Sequence, residues 1–378
     1  MLPRRAFLGA ELADEAFVAD GMKLAAVHAG GMAARAGLQA GDVIVSIAGK
    51  PMTDARAVGI ALRKAGEQPT CDIIFLRGET RDTKNINVIE QPPETLEGVT
   101  YGELIIEGVR LRTLGTRVHN ARALIVVLQD LTCESVDQGL SPESSLAGLL
   151  AGWAEAGFDS LRVDRRGIGD SEGEPCETLG YDRELADARA TVGRGKEVSR
   201  ARGIPLVLFG HGVGGIMAAQ LATEHEVKAV IVYGSPASRW LRSRRDAVRE
   251  QLTLDGAEAE IDAELAAMEE VIQEGELDGR TAAYHLELDA VALEAAWQTV
   301  TAPVLALRGE HDWIVTSNEQ GRLAELATAT VVELKGFDHQ LGWHASREAS
   351  LRDYGFGRFE AGIVKTTVAH VDRVAKPR

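Results

Sequence analysis

The chain has 378 residues, 45% of them hydrophobic and 26% charged, a composition that suits a globular protein of more than one domain. Lys and Arg number 41 against 57 Asp and Glu, a net charge of −16 that repels phosphate backbones and argues against nucleic acid as a partner. No apolar run approaches the roughly 20 residues of a membrane span.

The first stretch, MLPRRAFLGAELADEAF, places Arg4-Arg5 before an apolar patch, as a twin-arginine export signal does. Glu11, Asp14 and Glu15 interrupt the apolar region such a signal needs, so the segment reads as part of a folded domain and the protein as cytoplasmic. Cys71, Cys133 and Cys176 are too few and too scattered for a disulfide framework or a zinc site; reduced thiols are expected, with no metal and no cofactor.

Residues 1–92 form one unit. Gly37, Gly41 and Gly49 punctuate short elements, and Val43, Val45 and Ile47 alternate as a half-buried strand does. Gly49-Lys50-Pro51 turns the chain, Thr53 is placed to cap a helix starting near Asp54, and CDIIFLRGE reads as a further strand. AGLQAGDVIVSIAGKPM resembles the signature of bacterial PDZ domains, with AFLGAEL in the place of their carboxylate-binding loop. The resemblance implies that backbone amides near Phe7, Leu8 and Gly9 hold a peptide C-terminus, the peptide adding as a strand. A domain that only packs on its neighbour or mediates self-association fits the same residues.

Gln91-Pro92-Pro93 marks a joint, and a larger unit runs over 98–378. ELIIEGVRLRTLG gives opening strands, ALIVVLQ a strand buried on both faces, SSLAGLLAGWAEAG a helix and DSLRVDRRG a strand. LVLFG is a strand and VGGIMAAQLATEH a helix; VKAVIVYG, PVLALRG and ATVVELKG are later strands, with helix around Asn318–Ala327. This alternation predicts an α/β fold with a mostly parallel sheet, and a ligand at the carboxyl ends of its strands. Between about 236 and 300 the rhythm breaks. Five arginines from Arg239 to Arg249 precede nine acidic residues between Gly256 and Gly279, while Ile261, Leu265, Met268 and Ile272 keep helical spacing. This insertion reads as a helical cap roofing a pocket for a medium-sized, partly apolar or peptide-like ligand, its charges forming a solvated face.

The corner at Gly210-His211-Gly212-Val213-Gly214-Gly215 satisfies G-x-G-x-x-G, which suggests a dinucleotide site. It comes after at least two strand–helix units, and the acidic residue expected about 20 positions on is absent from IVYGSPAS, so this reading is set aside. The alternative is the small-x-nucleophile-x-small elbow of a strand turning sharply into a helix. Asp312 follows a later strand and His339 the last one, in the order nucleophile, acid, histidine. Together with DRRGIGDSEG at Asp164–Gly173, these residues resemble the α/β-hydrolase family. The resemblance places Gly212 where that family has serine, makes Val213 and Leu131 the oxyanion amides, and puts Asp130 where a glycine is usual.

Glycine has no hydroxyl, so no acyl-enzyme forms at residue 212. Three functions follow. A His339–Asp312 dyad does non-covalent general-base chemistry such as isomerisation, cyclisation, elimination or water attack, since imidazole titrates near neutrality. Alternatively, the domain is a non-catalytic binding or scaffold module, or the chain is a Ser→Gly variant of an ordinary serine hydrolase. Cys133 and Ser135 are off the elbow and poor substitutes for a nucleophile, Cys176 reads as a loop residue, and His211 reads as structural. His344 and Glu310 are the alternative base and acid, and the five tryptophans are core or pocket wall.

Overall fold

The computed structural model describes residues 1–375. The N-terminal sheet comprises β1 (Ala10–Val18), β2 (Gly21–Val27), β3 (Val43–Ile47), β4 (Lys50–Pro51), β5 (Thr70–Arg77) and β6 (Thr80–Asn87), with helices α1 (Met32–Arg35) and α2 (Ala55–Gly66). Its order is β1-β2-β3-β5-β6 with β4 against β3, and every pairing is antiparallel. Met22, Leu24, Ile44, Ile47, Ile73 and Phe75 fill one core with the inner face of α2. The cap of α2 is Asp54, which accepts the Ala57 amide at 2.8 Å, rather than Thr53, whose hydroxyl donates to Asp54.

The second sheet contains β7 (Val99–Ile106), β8 (Val109–Thr116), β9 (Ala123–Leu128), β10 (Phe158–Val163), β11 (Leu206–His211), β12 (Ala229–Tyr233), β15 (Val304–Gly309) and β16 (Thr330–Leu334). A two-residue pair, β13 (Glu276–Leu277) with β14 (Arg280–Thr281), lies apart from it. The order is β16-β15-β12-β11-β9-β10-β8-β7; all pairings from β10 to β16 are parallel, and β7 and β8 are antiparallel. Every residue of β9 is buried, as its unbroken apolar run requires of a strand covered on both sides. Leu124, Val126 and Leu128 face one core with α4 (Tyr181–Arg202) and α5 (Val213–Glu224). Ala123, Ile125 and Val127 face another with α3 (Ser145–Glu155) and α12 (Gly362–Ala375).

Between β12 and β15 the chain forms α6 (Trp240–Leu254), α7 (Ile261–Glu274), α8 (Ala282–Asp289) and α9 (Leu293–Thr299). Trp240, Met268, Ile272, Tyr284 and Trp297 join the core on the α5 side, which anchors this helical layer over the strand ends. Helices α10 (Ser317–Ala327) and α11 (Arg347–Arg352) complete the fold.

The two sheets meet through the N-terminal arginines. Arg4 pairs with Asp137 and, at 2.9 Å, with Asp170; the Arg5 amide donates to Asp170 at 2.8 Å. The buried Arg112 donates to Asp170 at 3.0 Å and to the Leu2 carbonyl at 2.6 Å. Arg4-Arg5 is thus the polar joint between the domains.

Candidate active site

The corner after β11 is built from close approaches. A Cβ on Gly214 would lie 2.1 Å from the Leu128 carbonyl oxygen, and one on Gly210 2.5 Å from that of Gly214. Gly212 has φ +49° and ψ −114°, held by its amide donating to Tyr233 O at 3.0 Å and its carbonyl accepting from Gly215. Val213 then opens α5, and its amide points back over the strand ends.

Asp312, beyond β15, and His339, beyond β16, meet beside this corner. His339 Nδ1 lies 3.0 Å from Asp312 Oδ2, while Asp312 Oδ1 accepts the amides of Ile314 and Val315, each at 2.9 Å. On its other side, His339 Nε2 lies 3.2 Å from Asp130 Oδ2. Asp130 Oδ1 accepts the Val213 amide at 2.9 Å. The Asp130 carboxylate therefore points inward and takes up the Val213 amide at the corner. A Cβ on Gly212 would stand 1.8 Å from Asp130 Oδ1, so the carboxylate occupies the space a side chain there would need.

An imidazole between two carboxylates donates through both nitrogens, and it is then a cation. Burial works against that charge. Asp312 and Asp130, by charge and hydrogen bond, outweigh it and lift the His339 pKa to about 10. The same contacts, with the Val213 amide, hold Asp130 well below the usual carboxylate range despite its burial. This overturns the expectation of a base titrating near neutrality: a second carboxylate, from the loop after β9, keeps the proton on the ring.

His211 lies beneath. Its Nε2 donates to the His339 carbonyl oxygen at 2.7 Å, and burial lowers its pKa, so it is neutral and buttresses the His339 loop. Ligand atoms of Asp130, His211 and His339 fall within 4.8 Å of one another, a grouping the sequence did not suggest. With His339 donating to two carboxylates and His211 donating to a carbonyl, protons hold this cluster together.

A cavity of about 320 Å³ opens in front, with Asp130, Gly212 and His339 on its floor and Trp240, Arg244 and Trp313 among its walls. A larger, more polar one of about 670 Å³ shares Asp130, Thr132, Gln340 and Tyr354 with it and runs toward α3.

Residues 144–253 match the family model described as serine aminopeptidase, S33, and residues 24–73 match that of the PDZ domain. Among solved structures, Est1E from Butyrivibrio proteoclasticus with bound ferulic acid is similar at 16% identity and TM-score 0.50, over 73% of this chain and 100% of that one. A soluble monoglyceride lipase variant from Saccharomyces cerevisiae with a substrate analogue is similar at 14% identity and TM-score 0.52, over 76% and 99%. DcsB in complex with its substrate analogue gives 17% and 0.52, over 74% and 100%. The chain has an α/β-hydrolase fold preceded by a PDZ domain. A search of curated proteins found no match.

In this α/β-hydrolase fold the structure brings Gly212, Val213, Asp312 and His339 together, as the resemblance implied. It separates the other candidates. His344 Nε2 is tied to the buried Asp338 at 2.8 Å, and Glu310 turns to Lys335 and the Gly336 amide. The Ser135 hydroxyl donates to Asp164. Leu131 is buried beside Asp130, on the wall of the smaller cavity. In the N-terminal unit the Phe7 amide already donates to Ile89 O at 2.7 Å; those of Leu8 and Gly9 have no hydrogen-bond acceptor among the described residues.

Two cysteines also differ from expectation. Cys133 and Cys176 form a disulfide, and only Cys71 is free. They are 43 residues apart in sequence, but each follows the carboxyl end of one of two adjacent parallel strands, β9 and β10, which brings their loops together. Among the described residues, no helix is long and apolar enough to cross a membrane.

Proposed function

We propose that this protein is an enzyme of the α/β-hydrolase fold that works without a hydroxyl nucleophile, as an acid–base pair. Gly212 stands at the serine place, His339 donates a proton, and Asp130 accepts one. Asp312 holds the imidazole in orientation, as the acid does in a Ser-His-Asp triad. The chemistry is non-covalent: isomerisation, elimination, cyclisation or attack by water on a medium-sized, partly apolar ligand beneath the cap. The observation that carries this reading is the Asp130 carboxylate, which bridges the Val213 amide and His339 Nε2 in the space over Gly212. It fills the position where an oxyanion would otherwise be stabilised, so ordinary acyl transfer is disfavoured.

The experiment compares Gly212→Ser with Gly212→Ser/Asp130→Gly on a 4-nitrophenyl ester of a short fatty acid. The single variant is expected to stay inactive, because the new Cβ meets the carboxylate; the double variant is expected to give a burst of nitrophenolate. Ester hydrolysis by the single variant would mean a serine hydrolase that merely lacks its serine, and would defeat this reading. A metabolite extract supplies the positive test: a compound converted by the wild type should persist with His339→Ala and with Asp130→Asn.

A second reading, a non-catalytic binding module, is favoured by the match to the PDZ domain. A compound retained by the protein but unchanged would support it. In either case we propose a peptide C-terminus as the occupant of the face beside β1, an edge strand that pairs with no other strand than β2 among the described residues.

A further inference from the structure

The disulfide is placed where it can act on the site. Cys133 follows Asp130 by three residues on the same loop. Cys176 belongs to the loop after β10, which also carries Arg165. Arg165 binds the carbonyl oxygens of Gln129, Asp130 and Thr132, and so fixes the backbone from which the Asp130 carboxylate projects.

A third element meets the sulfurs. Arg280, on β14 of the cap and fully buried, has Nη1 3.0 Å from Cys133 Sγ and 2.6 Å from Cys176 Sγ, and donates to the Cys176 carbonyl at 2.9 Å. Its other amine pairs with Glu184 Oε1, an atom that also binds Arg165 Nε at 2.8 Å. The Tyr284 ring lies 3.9 Å from its Cζ. A guanidinium is permanently charged. Against a neutral disulfide that charge has no ionic partner in sulfur; against a thiolate it gains one. A cation held beside a thiolate stabilises the reduced state and makes the disulfide easier to open.

We propose that Cys133–Cys176 is a thiol–disulfide exchange site, opened by a dithiol, and that its state sets how firmly Asp130 is held against His339. A thiolate of the dithiol attacks Cys133 Sγ, since Cys133 is part-exposed and Cys176 is fully buried. The S–S bond breaks, and its electron pair leaves on Cys176 as a thiolate beside Arg280. The second thiol of the reductant then attacks the mixed disulfide, releasing Cys133, which takes a proton, and closing the reductant into its own disulfide. Two electrons pass from the dithiol to the cysteine pair. Opening the bond also removes the covalent tie between the loop that carries Asp130 and the loop that carries Arg165, which loosens the hold of Arg165 on the carbonyls around Asp130.

The inference rests on the Asp130–His339 contact that also carries the acid–base reading, but its readouts require no turnover. The full chain is equilibrated in graded mixtures of reduced and oxidised dithiothreitol, trapped by alkylation, and Cys133 and Cys176 are read by mass. The wild type is expected to open at a reduced-to-oxidised ratio at least 10-fold lower than Arg280→Gln. In parallel, NMR follows His339: its titration midpoint should fall when the pair is reduced. Because Arg280 is buried and its variant risks misfolding, Cys133→Ala/Cys176→Ala serves as a second probe, expected to reproduce the reduced midpoint. Equal opening ratios for wild type and Arg280→Gln, or a His339 midpoint unmoved by both reduction and the double variant, would overturn the proposal. Ester hydrolysis by Gly212→Ser alone would defeat the acid–base reading and leave these two measurements intact.

Discussion

The loops on either side of His339 are built alike and differ in one respect. Behind the ring, Asp312 is fully buried, binds two amides through Oδ1, and has its own carbonyl held by Arg308, which also binds Val315 O at 2.6 Å. In front, Asp130 binds one amide, has its carbonyl held by Arg165, and faces two cavities. Each is a carboxylate on a loop clamped by a guanidinium. The rear one is closed in by protein, and the front one looks onto space a ligand can enter. The rear carboxylate is therefore a positioning group, and the front one is placed to touch a ligand.

Breaking the rear loop should cost most. Asp312→Asn removes the anion between a buried imidazolium and a buried Arg308, and stability should fall by about 3–5 kcal/mol, read from the urea midpoint. At the front, Asp130→Asn keeps the shape, and its amide oxygen still accepts from Val213. The imidazole answers by losing its proton, so the cost is smaller, on the order of 1–3 kcal/mol for a lost charge-assisted hydrogen bond.

That second effect depends on pH. His339 has a raised pKa, so its contribution is complete below its ordinary value near ~6.5 and is lost as pH rises through about 10. Asp130 has a depressed pKa, so its contribution is complete above ~3.9 and is lost as pH falls below that. These are one interaction seen from both partners. The stability gap between wild type and Asp130→Asn should therefore be widest between about pH 4 and 6.5, and should close on both the acid and the alkaline side. A gap that stays constant from pH 5 to 10 would mean that Asp130 does not hold the proton on His339.

The rear loop was legible in the sequence; on the front loop the resemblance singled out Asp130 and Leu131, and the direction of the carboxylate stayed open. Asp312 and His339 could be found because each lies within a few residues of the carboxyl end of a late strand, β15 and β16, and Gly210, Gly212, Gly214 and Gly215 because a sharp strand-to-helix turn leaves no room for side chains. The inward turn of Asp130 depends on Arg165, 35 residues away, seizing its backbone, and no local pattern reports that. The same holds for Arg112, Arg162 and Arg280, fully buried although arginine is normally a surface residue. Cys133–Cys176 did leave a signal, two cysteines in the loops that follow successive parallel strands, but it is readable only once the strand order is known. The 22-residue helix α4 went unmarked because Gly193 and Gly195 interrupt its pattern; a Cβ on Gly195 would lie 2.5 Å from a methyl of Val126, so that glycine lets the helix approach β9.

The smallest expected effect separates the fabric of the front loop from its chemistry. Ser135 lies on that loop, donating to Asp164 at 3.0 Å and accepting the Asp137 amide at 3.2 Å. Ser135→Ala removes both bonds, and Val136 still donates to Asp164 at 2.7 Å, so the loop keeps its main tie. The loss should be about 1 kcal/mol in urea unfolding. The His339 titration should not move, because Asp130 is held from Arg165 and Val213 rather than from Ser135. A drop in turnover without a drop in stability would instead make the Ser135 hydroxyl a reacting group. It would also mean that the front loop carries a nucleophile as well as a carboxylate, and that the difference between the two loops is larger than their shared architecture implies.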